Sequence, residues 1–302
     1  MREFEVKKIK DCKHFIGKKP TKKDYNFLID EPTKFLKDGE IVMIYDKLEG
    51  SCLKTAKEIA KSTNVNKSRR QGSGIPTMSS VFGAVSKNGV RNYRCSGAVR
   101  NKLEKNNFKK ITNLAKTIAK KYKECMPCNY NNDVKKVLNS VESDYLFQGL
   151  PFSTFNANVN QIIKYHVDRG NVNGVMSNVL ISREGVSGGE LVFPEYGFAL
   201  AQKDGFYSIF DGQKEVHGVS ECKFVSANAY RCSFVFYTLE QMKHCKPYLQ
   251  EIEEEKSVYT QKNKNRSKTF GMSKEEFSKG KYKDKWNYNQ ERLEKKESYI
   301  YR

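Results

Sequence analysis

Residues 165–219 read YHVDRGNVNGVMSNVLISREGVSGGELVFPEYGFALAQKDGFYSIFDGQKEVHGV, and residues 229–237 read AYRCSFVFY. Short apolar runs, VMSNVLI, ELVFPEY, FALA and FYSIF, are split by Gly, Asn and Asp, the pattern of an all-β sandwich or barrel. His166 and Asp168 open the stretch two residues apart, so on a strand or at its end they share one side. His217 closes it, on a strand that must fold back beside the first. Two imidazoles and one carboxylate on one face of an octahedral ion are the donor set of a non-haem Fe(II) oxygenase. That set leaves positions for a bidentate 2-oxo acid and for O2. The chain has 4 His, and two of them fall in this pattern. Beyond His217, Arg231 lies on an alternating strand from Tyr230 to Tyr237, with Ser233 on the same face. A guanidinium there grips the far carboxylate of 2-oxoglutarate in two parallel hydrogen bonds, which a lysine does less well.

These residues carry a resemblance to a known family. From about Phe155 to Tyr237 the chain resembles the catalytic core of the TET/JBP family of 2-oxoglutarate- and Fe(II)-dependent nucleic-acid dioxygenases, in a fungal or phage-like form. The matching residues are Asn160, His166-x-Asp168, Asn171, Gly188-Gly189-Glu190-Leu191, Pro194-Glu195-Tyr196-Gly197, His217-Gly218-Val219 and Arg231-x-Ser233. The GGEL and PEYG stretches are the specific part, since most 2-oxoglutarate enzymes share only the metal ligands and the arginine. A looser similarity covers Ser73 to Ser96.

The resemblance implies an α+β chain with a double-stranded β-helix (jelly-roll) core, flanked by an N-terminal α/β segment and helices. It implies Fe(II) held by His166, Asp168 and His217, with 2-oxoglutarate held by Arg231 and Ser233 and O2 as the oxidant. It also implies a flipped 5-methylpyrimidine in DNA, hydroxylated on its methyl group. Asn171 matches the Asn that contacts the pyrimidine edge, although RGNVNG is also rich in turn formers. TET enzymes carry a further base-contacting His where this chain has Leu239, with His244 beyond it. The departure leaves 5-methylcytosine and thymine both open. The cysteine-rich module of animal TET proteins has no counterpart here.

Charge divides the chain into three regions. Residues 145–245, the expected dioxygenase core, carry 8 Lys/Arg against 9 Asp/Glu, whereas residues 1–144 carry 32 against 16 and residues 246–302 carry 15 against 10. The stretch 54–110 is densest, and Arg69, Arg70, Arg91 and Arg94 are its candidate DNA contacts. A near-neutral core beside a basic flank suits a catalytic pocket next to a phosphate-tracking surface. Residues 1–144 are therefore expected to form a basic, DNA-contacting α/β region packed on the core. Residues 246–302 are expected to form a basic linker and a helical or partly disordered tail.

Local patterns fill in the flanks. EIVMIYD (40–46) reads as a strand, while LKTAKEIAKS (53–62) and FKKITNLAKTIAKKYKEC (108–125) read as amphipathic helices and DVKKVLNSV (133–141) as a short one. EIEEEKSVYTQKNKNRSKTFG (251–271) reads as a polar linker or arm, Ser273 with Glu276 as a capping box, and Trp286 as an aromatic that packs back on the core or, less often, stacks on bases. No run of 18 apolar residues spans a membrane, and the N-terminal residues lack the apolar core of a secretory signal. An intracellular protein with reduced thiols is expected from the 8 Cys. Cys125-x-x-Cys128 would need Cys95 or another distant ligand to hold zinc. Two other functions remain: oxidation of a protein side chain, as by prolyl or lysyl hydroxylases, and nucleic-acid binding by an inactive barrel.

Overall fold

The computed structural model describes residues 1–63, 66–69, 76–87 and 94–270. In chain order the strands are β1 (Arg2–Glu5), β2 (Phe27–Ile29), β3 (Thr33–Lys37), β4 (Glu40–Lys47), β5 (Asn66–Arg69), β6 (Pro76–Val85), β7 (Ser96–Gly97) and β8 (Thr154–Val159). They continue as β9 (Ser177–Glu184), β10 (Val186–Gly188), β11 (Leu191–Phe193), β12 (Phe198–Leu200), β13 (Phe206–Phe210), β14 (Gly218–Val219), β15 (Cys222–Phe224) and β16 (Tyr230–Tyr237). The helices are α1 (Ser51–Ser62), α2 (Val99–Leu103), α3 (Lys105–Cys125), α4 (Pro127–Leu138) and α5 (Tyr248–Phe270).

One sheet dominates, in the order β1-β3-β4-β13-β9-β16-β8-β6-β5 with β7 paired to β6, and a smaller sheet runs β14-β11-β12-β2. The two face each other across an apolar layer that includes Tyr45, Val179, Ile181, Phe193, Phe198, Leu200 and Phe210. This is the double-stranded β-helix in an α+β chain that the sequence predicts. The N-terminal stretch is woven into it: β1, β3 and β4 extend one edge of the large sheet and β6 and β5 the other.

The outer face of the large sheet is covered by helices. The buried residues Ile111, Leu114, Ile118 and Tyr122 of α3, with Ala56 and Ile59 of α1, meet Phe155, Leu180, Phe234 and Phe236. Strand alternation accounts for the division. On β16, Cys232, Phe234 and Phe236 point to the helices, while Arg231, Ser233, Val235 and Tyr237 line the opposite side. On β8, Phe155 and Ala157 point out and Asn156 and Asn158 point in.

Two sequence expectations need correction. The stretch 251–271 is not a linker over its described part, because α5 runs from Tyr248 to Phe270. Glu251 and Glu255, one helical turn apart, are buried against the protein. Glu255 accepts from Arg94 Nε at 2.7 Å, and Glu251 accepts from the Cys95 and Lys246 backbone N–H groups at 3.1 and 2.9 Å. The helix is docked by charge, which an apolar-periodicity reading passes over. The thiols are also not all reduced, since Cys95 and Cys245 form a disulfide. Cys95 is therefore no zinc ligand, and Cys125 instead lies 3.2 Å from the Tyr207 hydroxyl. The 273–276 capping box and Trp286 lie outside the described residues. No helix among the described residues is long and apolar enough to cross a membrane.

Candidate metal centre and cosubstrate pocket

His166 and His217 pair directly across a two-residue antiparallel bridge, each N–H donating to the other's carbonyl at 2.9 and 3.0 Å. The bridge sets the two imidazoles side by side, with ring centroids 4.3 Å apart. Asp168 is fixed by its N–H donating to Gly212 O at 2.7 Å. Its carboxylate lies 3.5 Å from His166 Nε2 and 3.9 Å from His217 Nε2. Within the described residues, this trio is the group of His, Cys, Asp and Glu whose ligand atoms gather tightly enough for a metal, all within 4.8 Å of one another.

Both imidazoles are oriented by backbone. His166 Nδ1 lies 2.9 Å from Lys164 O, and His217 Nδ1 lies 2.8 Å from Glu215 O. A carbonyl can only accept, so each Nδ1 carries the proton and each Nε2 keeps its lone pair for a metal. The donor chemistry fits Fe(II).

The GGEL and PEYG stretches hold the second histidine in place. β11 pairs with β14, setting Leu191 opposite Val219 and Val192 opposite Gly218, immediately after His217. Glu190 bonds the Ser220 hydroxyl, and Ser220 N–H donates to Glu190 O at 3.0 Å. Buried Glu195 accepts from Lys8 Nζ at 2.7 Å and from Val216 N–H at 3.4 Å. Lys8 also pairs with Glu215, the residue whose carbonyl orients His217. The N-terminal segment thus braces the metal-site strand, a role no spacing in the sequence announces.

Arg231 is 1% exposed, and its Nε and Nη1 have no hydrogen-bond partner. Buried donors without acceptors are rare, and a buried cation without a counter-charge rarer still. Burial pushes its pKa below the usual guanidinium range, and neighbouring Arg183 adds to that. Arg231 stays charged at any physiological pH and presents an unmet demand for an anion. It shares a cleft of about 280 Å³ with His166, Asp168, His217, Ser233, Asn158 and Asn171. An orphaned guanidinium and the triad in one cleft fit a dicarboxylic 2-oxo acid.

Asn160, in the left-handed conformation at φ 50°, extends the β8–β16 ladder by one residue. Its Oδ1 accepts from Arg231 N–H at 2.8 Å, and its own N–H donates to Arg231 O at 2.7 Å. Asn158 Nδ2 reaches Ser233 Oγ at 3.4 Å.

Not every expected residue comes together at the site. Asn171 lines the cleft, and its Nδ2 donates to Ser177 Oγ at 2.9 Å, with Ser177 Oγ 3.4 Å from Asp168 Oδ2. Leu239 lines the wall beside it, whereas His244 is exposed and is not part of that wall. Arg94 does not belong to a DNA-facing surface. It is 6% exposed, bonded to Glu255, and stacked 5.2 Å over Tyr248. Arg69 contributes its backbone to β5 opposite Pro76, and its side chain, like Arg70 and Arg91, lies outside what the structure describes.

A jelly-roll barrel with two histidines, one aspartate and a buried arginine on one cleft defines a 2-oxoglutarate- and Fe(II)-dependent dioxygenase. Residues 83–240 match Tet_JBP, the oxygenase domain of the 2OGFeDO superfamily, and the chain belongs to that family. Its cofactor is Fe(II), and its cosubstrates are 2-oxoglutarate and O2. Among solved structures, NgTET1 in complex with 5mC DNA is similar over 73% of this chain and 81% of its own, with 12% identity and a TM-score of 0.54. A 2OG-Fe(II) oxygenase-family oxidoreductase from Burkholderia pseudomallei covers 65% of this chain and 85% of its own, at 12% identity and a TM-score of 0.37. The viral collagen prolyl hydroxylase vCPH from Paramecium Bursaria Chlorella virus-1, with 2OG, covers 64% and 94%, at 14% identity and a TM-score of 0.31. No curated protein matches the chain by sequence.

Proposed function

We propose that this dioxygenase hydroxylates the 5-methyl group of a pyrimidine in DNA, 5-methylcytosine or thymine. The observation that carries the reading is the cleft itself, lined by the triad and by the Arg231 guanidinium, whose Nε and Nη1 have no partner, in a chain of the Tet_JBP family. NgTET1, which shares the fold, is in complex with 5mC DNA. The uneven charge, near neutral over 145–245 and strongly basic over 1–144, supports a polyanionic substrate.

In this reading His166, Asp168 and His217 hold Fe(II) through two Nε2 atoms and one carboxylate oxygen. Arg231 binds the far carboxylate of 2-oxoglutarate, with the Ser233 hydroxyl beside it. Bound iron and 2-oxoglutarate supply the oxidising power that turns C–H into C–OH, with succinate and CO2 as coproducts. The protein's own part is positional. Val235, Val179 and Phe210 give the cleft apolar walls, which limit water around the reacting carbon. A methyl group stacked in a duplex is out of reach, so the nucleotide is flipped at a cost of a few kcal/mol. Asn171 still has a second amide N–H for the pyrimidine edge while the first holds Ser177. Leu239 offers the base no polar contact, which keeps thymine in play beside 5-methylcytosine. Arg69, Arg70 and Arg91 are proposed phosphate contacts, and an intracellular location follows from a DNA substrate.

Mass spectrometry of nucleosides from DNA incubated with the protein, Fe(II) and 2-oxoglutarate tests the reading. A 5-hydroxymethylpyrimidine is expected, and its absence alongside oxidised peptide side chains would overturn it. Asn171→Ala separates base contact from support of Asp168. Base contact predicts a large loss of pyrimidine turnover with uncoupled 2-oxoglutarate decarboxylation retained, and an equal fall in both leaves Asn171 as a prop for Ser177 and Asp168.

A further inference from the structure

Helix α3 carries seven lysines against one glutamate, Glu124. Five of them, Lys105, Lys109, Lys116, Lys120 and Lys123, are exposed. At 3.6 residues per turn they fall within an arc of about 60° and extend over about 27 Å of helix. Among the described residues none of the five has an acidic partner. Lys110 and Lys121, off that arc, pair with Glu58 at 2.7 Å and Asp46 at 3.3 Å.

The arrangement is unfavourable for an isolated helix on two counts. Like charges one turn apart, at 105/109 and 116/120, repel. Three lysines in the first two turns oppose the positive end of the helix dipole, and the first turn holds no acid. A solvated surface helix relieves both by interspersing acids. This one keeps a single-sign stripe, which a polyanion would neutralise.

The stripe is remote from the catalytic cleft. Ile111, Leu114, Ile118 and Tyr122 seat α3 on the outer face of the large sheet, against Phe155, Phe234 and Phe236. The cleft residues Arg231, Ser233 and Asn158 project from the other face of the same strands. A phosphate backbone lying on α3 therefore meets the protein on the side opposite the pocket.

We propose that the outer face of α3 is a second nucleic-acid docking surface, binding duplex DNA through its phosphates without reading sequence. It would retain the enzyme on DNA while the cleft engages a base elsewhere. The choice of DNA as the polyanion rests on the substrate proposed above, whereas the stripe itself does not.

The test uses the full chain and an unmodified duplex. The combined variant Lys105→Gln, Lys109→Gln, Lys116→Gln, Lys120→Gln, Lys123→Gln keeps good helix formers throughout. The dependence of log K on log salt should flatten by about 0.9 for each phosphate that the helix no longer neutralises, with affinity falling about tenfold or more near physiological salt. Decarboxylation of 2-oxoglutarate without DNA should be unchanged. An unchanged slope in a folded variant would overturn the proposal, as would stripe-dependent binding to phosphatidylserine vesicles with none to DNA. If the variant fails to fold, Lys116→Cys carrying a photocrosslinker decides instead: an adduct with the duplex supports the surface, and none removes it. Duplex binding through the stripe without pyrimidine hydroxylation would fell the proposed function alone. Hydroxylation with an unaltered salt slope would fell this proposal alone.

Discussion

Gly212 and Gly189 make room for Asp168 and Arg231. A β-carbon at Gly212 would overlap Asp168 Oδ2 and lie 2.9 Å from Ser177 Oγ, so the carboxylate sits where only glycine allows it. At Gly189, in the left-handed region at φ 75°, a β-carbon would come within 2.9 Å of Arg231 Nε and 2.8 Å of Cys222 Sγ. The GGEL stretch thus reports the approach of the backbone to the arginine. Gly212→Ala should displace Asp168 while leaving the core intact. Weakening of metal binding by about 10–100-fold is expected, the range seen when the support of a ligand is disturbed. Titration with Co(II), followed by its visible absorption, measures this without turnover. Unaltered affinity would mean that Asp168 has freedom the packing denies it.

At the scale of elements, the strands and helices that place the site are legible because burial on two faces writes a period into the sequence. β16 shows it directly, with Cys232, Phe234 and Phe236 toward the helices and Arg231 and Ser233 toward the cleft. The amphipathic stretches form α1 and α3 for the same reason. What cannot be read depends on pairs distant in sequence. Arg94 with Glu255, Lys8 with Glu195, and Cys95 with Cys245 each bring together residues more than a hundred positions apart. A basic residue on a basic stretch gives no sign that it will be buried, which is why the sequence alone places Arg94 among the DNA-binding residues. Asn171 is legible as a cleft residue, but its bond to Ser177 depends on a loop geometry the sequence does not specify. Glu255→Ala should take the carboxylate away from the buried Arg94 Nε and weaken the docking of α5. The expected loss is about 3–5 kcal/mol in denaturant unfolding. A change well below 1 kcal/mol would show that α5 contributes little to the fold.

Over the whole molecule, the helical layer and the barrel are linked through a buried carboxyl. Asp133 of α4 accepts from the Tyr122 hydroxyl at 2.7 Å and from Met176 N–H at 2.9 Å, one residue before β9 begins. Burial pushes its pKa up to about 6, against the two hydrogen bonds that lower it. A carboxyl whose folded pKa exceeds its unfolded value stabilises the fold fully when protonated in both states, below about pH 4. That contribution is lost as pH rises through about 6. Asp133→Asn should remove this slope, worth about 2–3 kcal/mol, from stability measured between about pH 4 and pH 7. Retention of the slope in the variant would place its origin elsewhere.

On the proposed function, the cleft oxidises a pyrimidine methyl group in DNA with the metal held by His166, Asp168 and His217. The most direct measurement is mass spectrometry of nucleosides and succinate after reaction under isotopically heavy dioxygen, with Asp168→Ala run in parallel. One heavy oxygen is expected in the 5-hydroxymethylpyrimidine and one in succinate, with neither product from the variant. Heavy succinate with unmodified DNA bases would contradict the proposed function, and so would hydroxymethylation that survives the loss of Asp168.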